Sequence, residues 1–321
     1  MISRNTINCI LCKNKTEFLD NYKLNVKSDY KYFSKLKIYY CKRCDFSFCS
    51  PMPNEIKLNY FYKKIYRAQG RPHEISWNFN AQLLCDINLN YIQYLSTFID
   101  FNKINTLLDF GSGTGDIGYL LKKKFNHLKL FSIENDKNCQ NILNNRSYTN
   151  YKNLKDITRK FDVILATHCL EHLTNLNIFN FFKKVSHNKT FLFIEVPNNI
   201  FNKKFFDRPY DSPHLLFFSK KTFLKIKKKF KLDLLNLNYS SYSIDKAFEY
   251  MKNFKTSFEN CDTNKKNLGY EMKKFFLRKI LTRKLFLLKD LIILRKQDKL
   301  DNFVLNQKES WCVRALFKLR K

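Results

Sequence analysis

The sequence lacks any apolar run able to cross a bilayer. Its longest late apolar stretch, Leu285–Leu294, is interrupted by Lys289 and Asp290 and falls short of the roughly 20 residues that a spanning helix needs. Met1–Cys12 has no long apolar segment of the secretory kind. A cytoplasmic, reducing setting is therefore expected, with the ten cysteines as thiols or metal ligands rather than disulfides. Internal repeats and low-complexity linkers are missing too. Acidic residues are scarce, 28 against 59 Lys and Arg, for a formal net charge of +31. That balance suits nucleic acid, an acidic membrane or anionic substrates. Glycine and proline are also scarce, six of each, in a chain rich in Lys, Asn, Ile and Phe. An AT-rich genome gives this usage, so solvated lysine faces compete with an anionic partner as the source of the charge.

What is present is a 321-residue chain with 44 % hydrophobic residues, which argues against disorder and is ample for a buried core. Three parts are expected: a Cys-rich module over 1–54, a helical linker or cap over 55–103, and an α/β domain over 104–321. Helices are read at Tyr60–Tyr66 and at Ser76–Ile99, where Leu83, Leu84, Ile87, Tyr91, Ile92 and Leu95 recur at helical spacing. Beyond residue 104, short apolar runs alternate with amphipathic stretches. The runs are Thr106–Phe110, Leu128–Ile133, Phe161–Ala166 and Thr190–Val196, then Leu232–Leu237 and Trp311–Phe317. Such alternation predicts βαβ units around a parallel sheet. The Lys-rich residues 246–300 read as a helical insertion before the last strand.

The segment Asp109-Phe110-Gly111-Ser112-Gly113-Thr114-Gly115 follows one apolar run and precedes a helical one. Glycines let a chain turn sharply at a strand end and approach a ligand closely, and the helix start beyond offers free N–H groups. An acid ending the next strand should bind ribose hydroxyls; Glu134 stands there, with Asp136 close behind. A dinucleotide fingerprint would need glycine at 116, where Asp116 stands, and Asp109 would repel a pyrophosphate. Asp109 suits a ligand with a cationic end. S-adenosylmethionine, with a sulfonium and an amino group, is such a ligand.

Cys9-x-x-Cys12 and Cys41-x-x-Cys44 give two paired thiolate knuckles, the donor set of tetrahedral zinc. With all four positions filled by cysteine, no coordination position stays open, so the zinc is expected to be structural. Cys49 reads as a bystander.

In combination, Asp109-x-Gly111-x-Gly113-x-Gly115, Glu134, Phe161–Ile164, Cys169-Leu170-Glu171-His172-Leu173 and Glu195-Val196-Pro197-Asn198 resemble class I S-adenosylmethionine-dependent methyltransferases over residues 104–240. The resemblance implies a Rossmann-like seven-stranded sheet whose last strand is antiparallel. It also implies that Asp109 and the glycine turn, including Ser112 and Thr114, hold the methionine part of the cofactor. Glu134, with Asp136, would hold the ribose, and His168 and Cys169 would lie near the methyl end. Tyr210-Asp211-Ser212-Pro213-His214 with Leu215–Ser219 resembles the stretch after the fifth strand in these enzymes, placing His214 beside the transferred methyl, with Ser219 as a helix N-cap. The upstream zinc module and a Tyr-rich helix make the chain similar to sugar C-methyltransferases, which act on nucleotide-linked keto sugars. Pro213 stands where that family has Glu.

The expected function is methyl transfer to a small acceptor, an anionic sugar nucleotide or other glycan precursor, by C- or O-methylation. His172, His214 and Tyr210 are the candidate catalytic residues. His172 has an imidazole of ordinary pKa near 6.5 at a strand's C-terminal end, the side that faces the ligand crevice in such sheets; bracing of the next helix by Glu171 and His172 is the alternative. A nucleic-acid methyltransferase gripping its target with the zinc module and lysines is a competing reading. Against it, Thr167–Leu170 replaces any Asn/Asp-Pro-Pro-Tyr motif, and basic residues are dispersed rather than grouped with aromatics. A non-catalytic S-adenosylmethionine-binding module is a third. Lys273–Leu294 mixes apolar and basic residues and reads either as a core-packing helix or as peripheral membrane contact.

Overall fold

The structure, a computed structural model, describes residues 7–22, 31–65, 86–199, 214–243 and 310–319. The expected insertion at 246–300, the 273–294 segment and Tyr210 lie outside the described residues.

Most of the described chain wraps a seven-stranded sheet. Its strands are β4 (Thr106–Phe110), β5 (Lys129–Ile133), β6 (Tyr148–Tyr151), β7 (Phe161–Thr167), β8 (Ser186–Pro197), β10 (Asp233–Ser243) and β11 (Ser310–Lys318). They lie in the order β10-β11-β8-β7-β4-β5-β6. Strands β4 to β8 are parallel, whereas β11 runs antiparallel to both β8 and β10. Leu107, Leu108, Ile164, Leu165, Ala166, Phe193 and Ile194 are all buried. Consecutive buried residues within one strand are what a sheet covered on both faces demands. This is the Rossmann-like fold expected from the sequence. All six expected strands are present within a few residues, and β10 and β8 run longer than their apolar runs. The seventh, β6, is a four-residue edge strand.

Helices α2 (Asp86–Phe98), α3 (Asp116–Lys124), α4 (Lys137–Asn145), α5 (Ile178–Lys184) and α6 (Lys220–Phe230) flank this sheet. Tyr91, Ile92 and Leu95 bury one stripe of α2 against Leu107 and Phe193. Of the expected Ser76–Ile99 helix, residues 76–85 lie outside the described residues. Ser219 caps α6 through a reciprocal box with Thr222, as expected. No helix among the described residues is long and apolar enough to cross a membrane.

A second, four-stranded sheet contains β1 (Glu17–Asn21), β2 (Lys37–Cys41), β3 (Phe46–Ser50) and β9 (Leu216–Phe217), in that order and antiparallel throughout. Strand β9 comes from the α/β part, just past His214. One continuous core joins Cys9, Phe46 and Phe48 to Phe218, Phe223 and Val313. Helix α1 (Glu55–Lys64), capped by Asn54, packs Leu58 and Phe61 beneath this sheet, overlapping the helix expected at Tyr60–Tyr66.

Candidate functional site

The glycine turn sits at the C-terminal end of β4, the edge where parallel sheets of this kind open a ligand crevice. Gly111, Gly113 and Gly115 all adopt left-handed backbone, with φ of 66°, 55° and 71°. Two of them have no room for a side chain. A Cβ on Gly111 would lie 2.6 Å from Cys169 Cβ, and one on Gly115 2.5 Å from Leu143 Cδ2. The turn then feeds α3, whose N-cap is Gly115, so no N-cap side chain bonds its first N–H groups.

Glu134 closes the turn from the end of β5. Its Oε2 accepts from Gly113 N at 2.8 Å and its Oε1 from Asp136 N at 2.8 Å. A carboxylate offers about four lone-pair sites, so both bonds leave capacity for hydroxyl donors. Asp136 is itself the N-cap of α4, accepting from Asn138 N and Cys139 N at 2.9 and 3.0 Å. Asp109 is buried, and its Oδ1 has no hydrogen-bond partner. Its Oδ2 receives only a long 3.5 Å bond from Tyr148 Oη. Burial, together with the charges of Asp116 and Glu134, pushes Asp109 up to about 7. A buried carboxyl with an orphaned oxygen at a ligand edge suits a cationic group.

Asp116, in the position where a dinucleotide fingerprint would have glycine, pairs with the buried Arg146, which also donates to Thr114 O at 2.7 Å. Thr114 Oγ1 adds a 2.9 Å bond to Asp116. Arg146 and Tyr148 thus brace the turn from below. Nothing in the sequence motif points to either, because they come from the end of α4 and from the short β6.

The C-terminal end of β7 carries the second cluster. His168 is left-handed at φ 50° and half-exposed. Its Nδ1 lies 3.7 Å from Glu171 Oε1, and its Nε2 3.5 Å from Glu195 Oε1. Burial opposes its charging, but Cys312, Glu195 and Glu171 around it hold its pKa well above the ordinary value. Cys169 packs against Gly111. Residues 170–172 then form a single tight helical turn. Glu171 is 2 % exposed, and its Oε2 is buried without a partner. Burial raises it to about 7 against the opposing pull of His168.

His172 Nδ1 is 3.0 Å from Tyr62 Oη of α1, and the His172 and His214 rings meet edge-on with centroids 5.0 Å apart. Burial and the neighbouring His172 and His168 hold His214 well below the ordinary range, so it is neutral at pH 7. The structure therefore brings together His168, Cys169, His172 and His214 along one edge beside the glycine turn. Tyr62 was missed by sequence reasoning; only the Tyr-rich pattern of its helix hinted at it. Also missed was the network behind the edge. Glu195 on β8 accepts from Arg314 Nε at 2.7 Å, from Ser240 Oγ at 2.7 Å and from Tyr91 Oη. Burial would raise Glu195, but Arg314, His168 and Tyr91 bring it down to about 2.

At the other end, the thiols of Cys9, Cys12, Cys41 and Cys44 lie within 4.8 Å of one another. Lys13 and Asp45, each directly after the second cysteine of its pair, share the left-handed conformation with φ 65° and 50°. The two knuckles thus have matching backbone turns. Burial pushes Cys9 up to about 12, whereas Asn14 and the adjoining thiols bring the less buried Cys12 down to about 6. Cys49 is buried apart from this cluster, its thiol 3.6 Å from His214 O.

Residues 79–237 match the family model described as a methyltransferase domain. No curated protein matches the sequence. Among solved structures, coclaurine N-methyltransferase bound to N-methylheliamine and SAH is similar at 14 % identity, with 82 % of this chain and 79 % of that one covered and a TM-score of 0.47. The plantazolicin methyltransferase BpumL in complex with SAH is similar at 15 % identity, covering 82 % and 94 %, with a TM-score of 0.43. A SAM-dependent methyltransferase from Archaeoglobus fulgidus is similar at 14 % identity, covering 75 % and 98 %, with a TM-score of 0.40.

Proposed function

We propose that this S-adenosylmethionine-dependent methyltransferase passes its methyl group to a small anionic acceptor, a sugar nucleotide or related glycan precursor, at carbon or oxygen. The observation that carries the cofactor reading is Asp109: a buried carboxyl with an unpartnered oxygen, beside a turn whose acid at position 116 disfavours phosphate. Asp109 would face the cationic methionine end, while Gly111, Ser112, Gly113, Thr114 and Gly115 supply backbone close to it. Glu134 would accept ribose hydroxyls, with Asp136 fixing its orientation through the 2.8 Å backbone bond. His168 and Cys169 would border the methyl end. Bound S-adenosylmethionine supplies an electrophilic methyl on sulfonium; the protein's part is to hold an acceptor in line and exclude water.

His172 and His214, with Tyr210 from the adjoining segment, are the residues assigned to acceptor activation. Among the described residues, the His172 and His214 rings meet just after the C-terminal end of β7, the side of such a sheet that faces the ligand crevice. The sugar-nucleotide class draws on the surplus of lysine, which steers anions. The Cys9, Cys12, Cys41 and Cys44 set fits a structural zinc: four soft donors, two matching knuckles and no fifth position.

The test is mass spectrometry of the purified chain under native conditions for bound S-adenosyl ligand and zinc, followed by acceptor screening with methyl-labelled cofactor. One zinc and one S-adenosyl ligand per chain are expected, with the latter lost in Asp109→Ala. If no cofactor binds at millimolar concentration and Asp109→Ala changes nothing, the cofactor reading fails. If label enters other acceptors but no sugar nucleotide, the acceptor reading fails.

A further inference from the structure

Glu171, His172 and His214 each offer one ligand atom, and these atoms lie within 4.8 Å of one another. We propose that these three side chains form a second metal site, distinct from the four cysteines, which binds a divalent cation such as Mn²⁺ and presents its open positions to the acceptor. This rests on the reading above, that the acceptor sits at this edge, and sharpens how His172 and His214 activate it: as ligands rather than as bases.

The donor set is two imidazoles and one carboxylate, which suits divalent first-row ions and leaves coordination positions free. Bonds of about 2.1 Å need donor atoms within about 4.2 Å of one another, so side-chain adjustments of a few tenths of an ångström complete the site. Two further observations point to a ligand here. Glu171 is 2 % exposed, and its Oε2 has no partner, although a buried carboxylate oxygen left alone is costly. Its carboxylate is otherwise approached by His168, at 3.7 Å, too far for a hydrogen bond, and by its own backbone N–H. Tyr62 Oη stands 3.0 Å from His172 Nδ1, the outer contact that commonly orients a metal-bound imidazole through its second ring nitrogen. The frame is firm as well. Leu215 N donates to Glu171 O at 2.6 Å, tying the His214 segment to the Glu171 turn. The third cluster of this kind among the described residues, His168, Glu195 and Cys312, is unsuited, because Arg314, Ser240 and Tyr91 already occupy Glu195.

The experiment uses the full chain with its zinc left in place. Mn²⁺ is titrated and followed by electron paramagnetic resonance; as an oxygen- and nitrogen-seeking ion it leaves a four-thiolate site alone. One Mn²⁺ is expected per chain. Glu171→Gln, which keeps the side-chain shape, and His214→Ala should each weaken binding at least tenfold. His187→Ala removes an imidazole paired with Asp162 elsewhere and should leave binding unchanged. S-adenosylhomocysteine is titrated calorimetrically into the same samples. Wild-type protein that binds S-adenosylhomocysteine but no Mn²⁺ up to millimolar concentration, or Glu171→Gln and His214→Ala binding Mn²⁺ as tightly as wild type, overturns the metal site. Failure of wild type to bind S-adenosylhomocysteine is instead a failure of the methyl-transfer reading.

Discussion

Replacing Asp109 by asparagine removes a charge that the free protein holds at a cost. Burial, helped by Asp116 and Glu134, moves this carboxyl from 3.8 to about 7. The folded state therefore keeps the proton to higher pH than the unfolded chain, and the stability cost runs in one direction. It is absent below about pH 4, grows between pH 4 and 7, and is complete above pH 7. At 1.36 kcal/mol per pKa unit the full cost is about 4 kcal/mol. The substituted amide carries no charge at any pH, so D109N should match wild type near pH 4. At pH 8 it should be about 2–4 kcal/mol more stable, the lower figure allowing for the amide's own unpaired atoms in this pocket. Urea denaturation of both proteins from pH 4.5 to 8.5 measures the difference, and other titrating groups cancel because both proteins share them. The same charge should serve binding. Wild-type affinity for S-adenosylmethionine should rise from pH 6 to 8, whereas D109N should bind at least tenfold more weakly and lose that rise. A stability difference that stays flat across this range, or unchanged affinity in D109N, refutes the reasoning.

Gly115→Ala forces a Cβ to within 2.5 Å of Leu143 and 2.8 Å of Tyr148 at φ 71°, and should cost about 1–3 kcal/mol by denaturant titration while weakening cofactor binding. Arg314→Met strips Glu195 of its buried partner and should cost about 3–5 kcal/mol. Glu195 lies near 2 in the folded protein, so its contribution is full above its ordinary value of 4.5 and lost as pH falls toward 2. In Arg314→Met that acid loss should be smaller and complete at a higher pH in the same titration. Cys41→Ser, or a strong chelator, should release the proposed zinc and reduce methyl transfer far more than S-adenosylhomocysteine binding, read by activity and calorimetry on one sample.

The central strands could be read directly because burial on both faces leaves unbroken apolar runs, as in Leu107–Leu108 and Val163–Ala166. Strand β6 could not. Tyr148-Thr149-Asn150-Tyr151 at the sheet edge buries only Tyr148, and its pairing with β5 is fixed by neighbours rather than by pattern. The two-residue β9 was hidden for the same reason: Leu216 and Phe217 pair with β3, some 170 residues earlier, and no local signal announces a partner that distant. The glycine turn was legible because left-handed backbone and close packing demand specific residues at fixed spacing. Arg146, Tyr62 and Arg314 were not, since each reaches the site edge or its support from a different element and ordinary composition gives no sign of it.

This separation between local and distant signals bears on what the cysteine module does. In the sequence it reads as a unit apart, closed by its metal and independent of the chemistry. In the fold, Ser47 and Phe48 of β3 pair with Phe217 and Leu216, Cys49 N donates to Leu215 O at 2.8 Å, and the Cys49 thiol reaches His214 O. Leu215 N in turn binds Glu171 O. His214 is thus strung between the end of β7 and the strand that follows the Cys41–Cys44 knuckle. Helix α1, which leaves the same module, brings Tyr62 to His172. His214 and Tyr62 therefore owe their positions to the module, while Asp109, Glu134 and the glycine turn owe theirs to β4 and β5. Zinc loss should for that reason act on acceptor chemistry before cofactor affinity, which is why the Cys41→Ser comparison reads both from one sample.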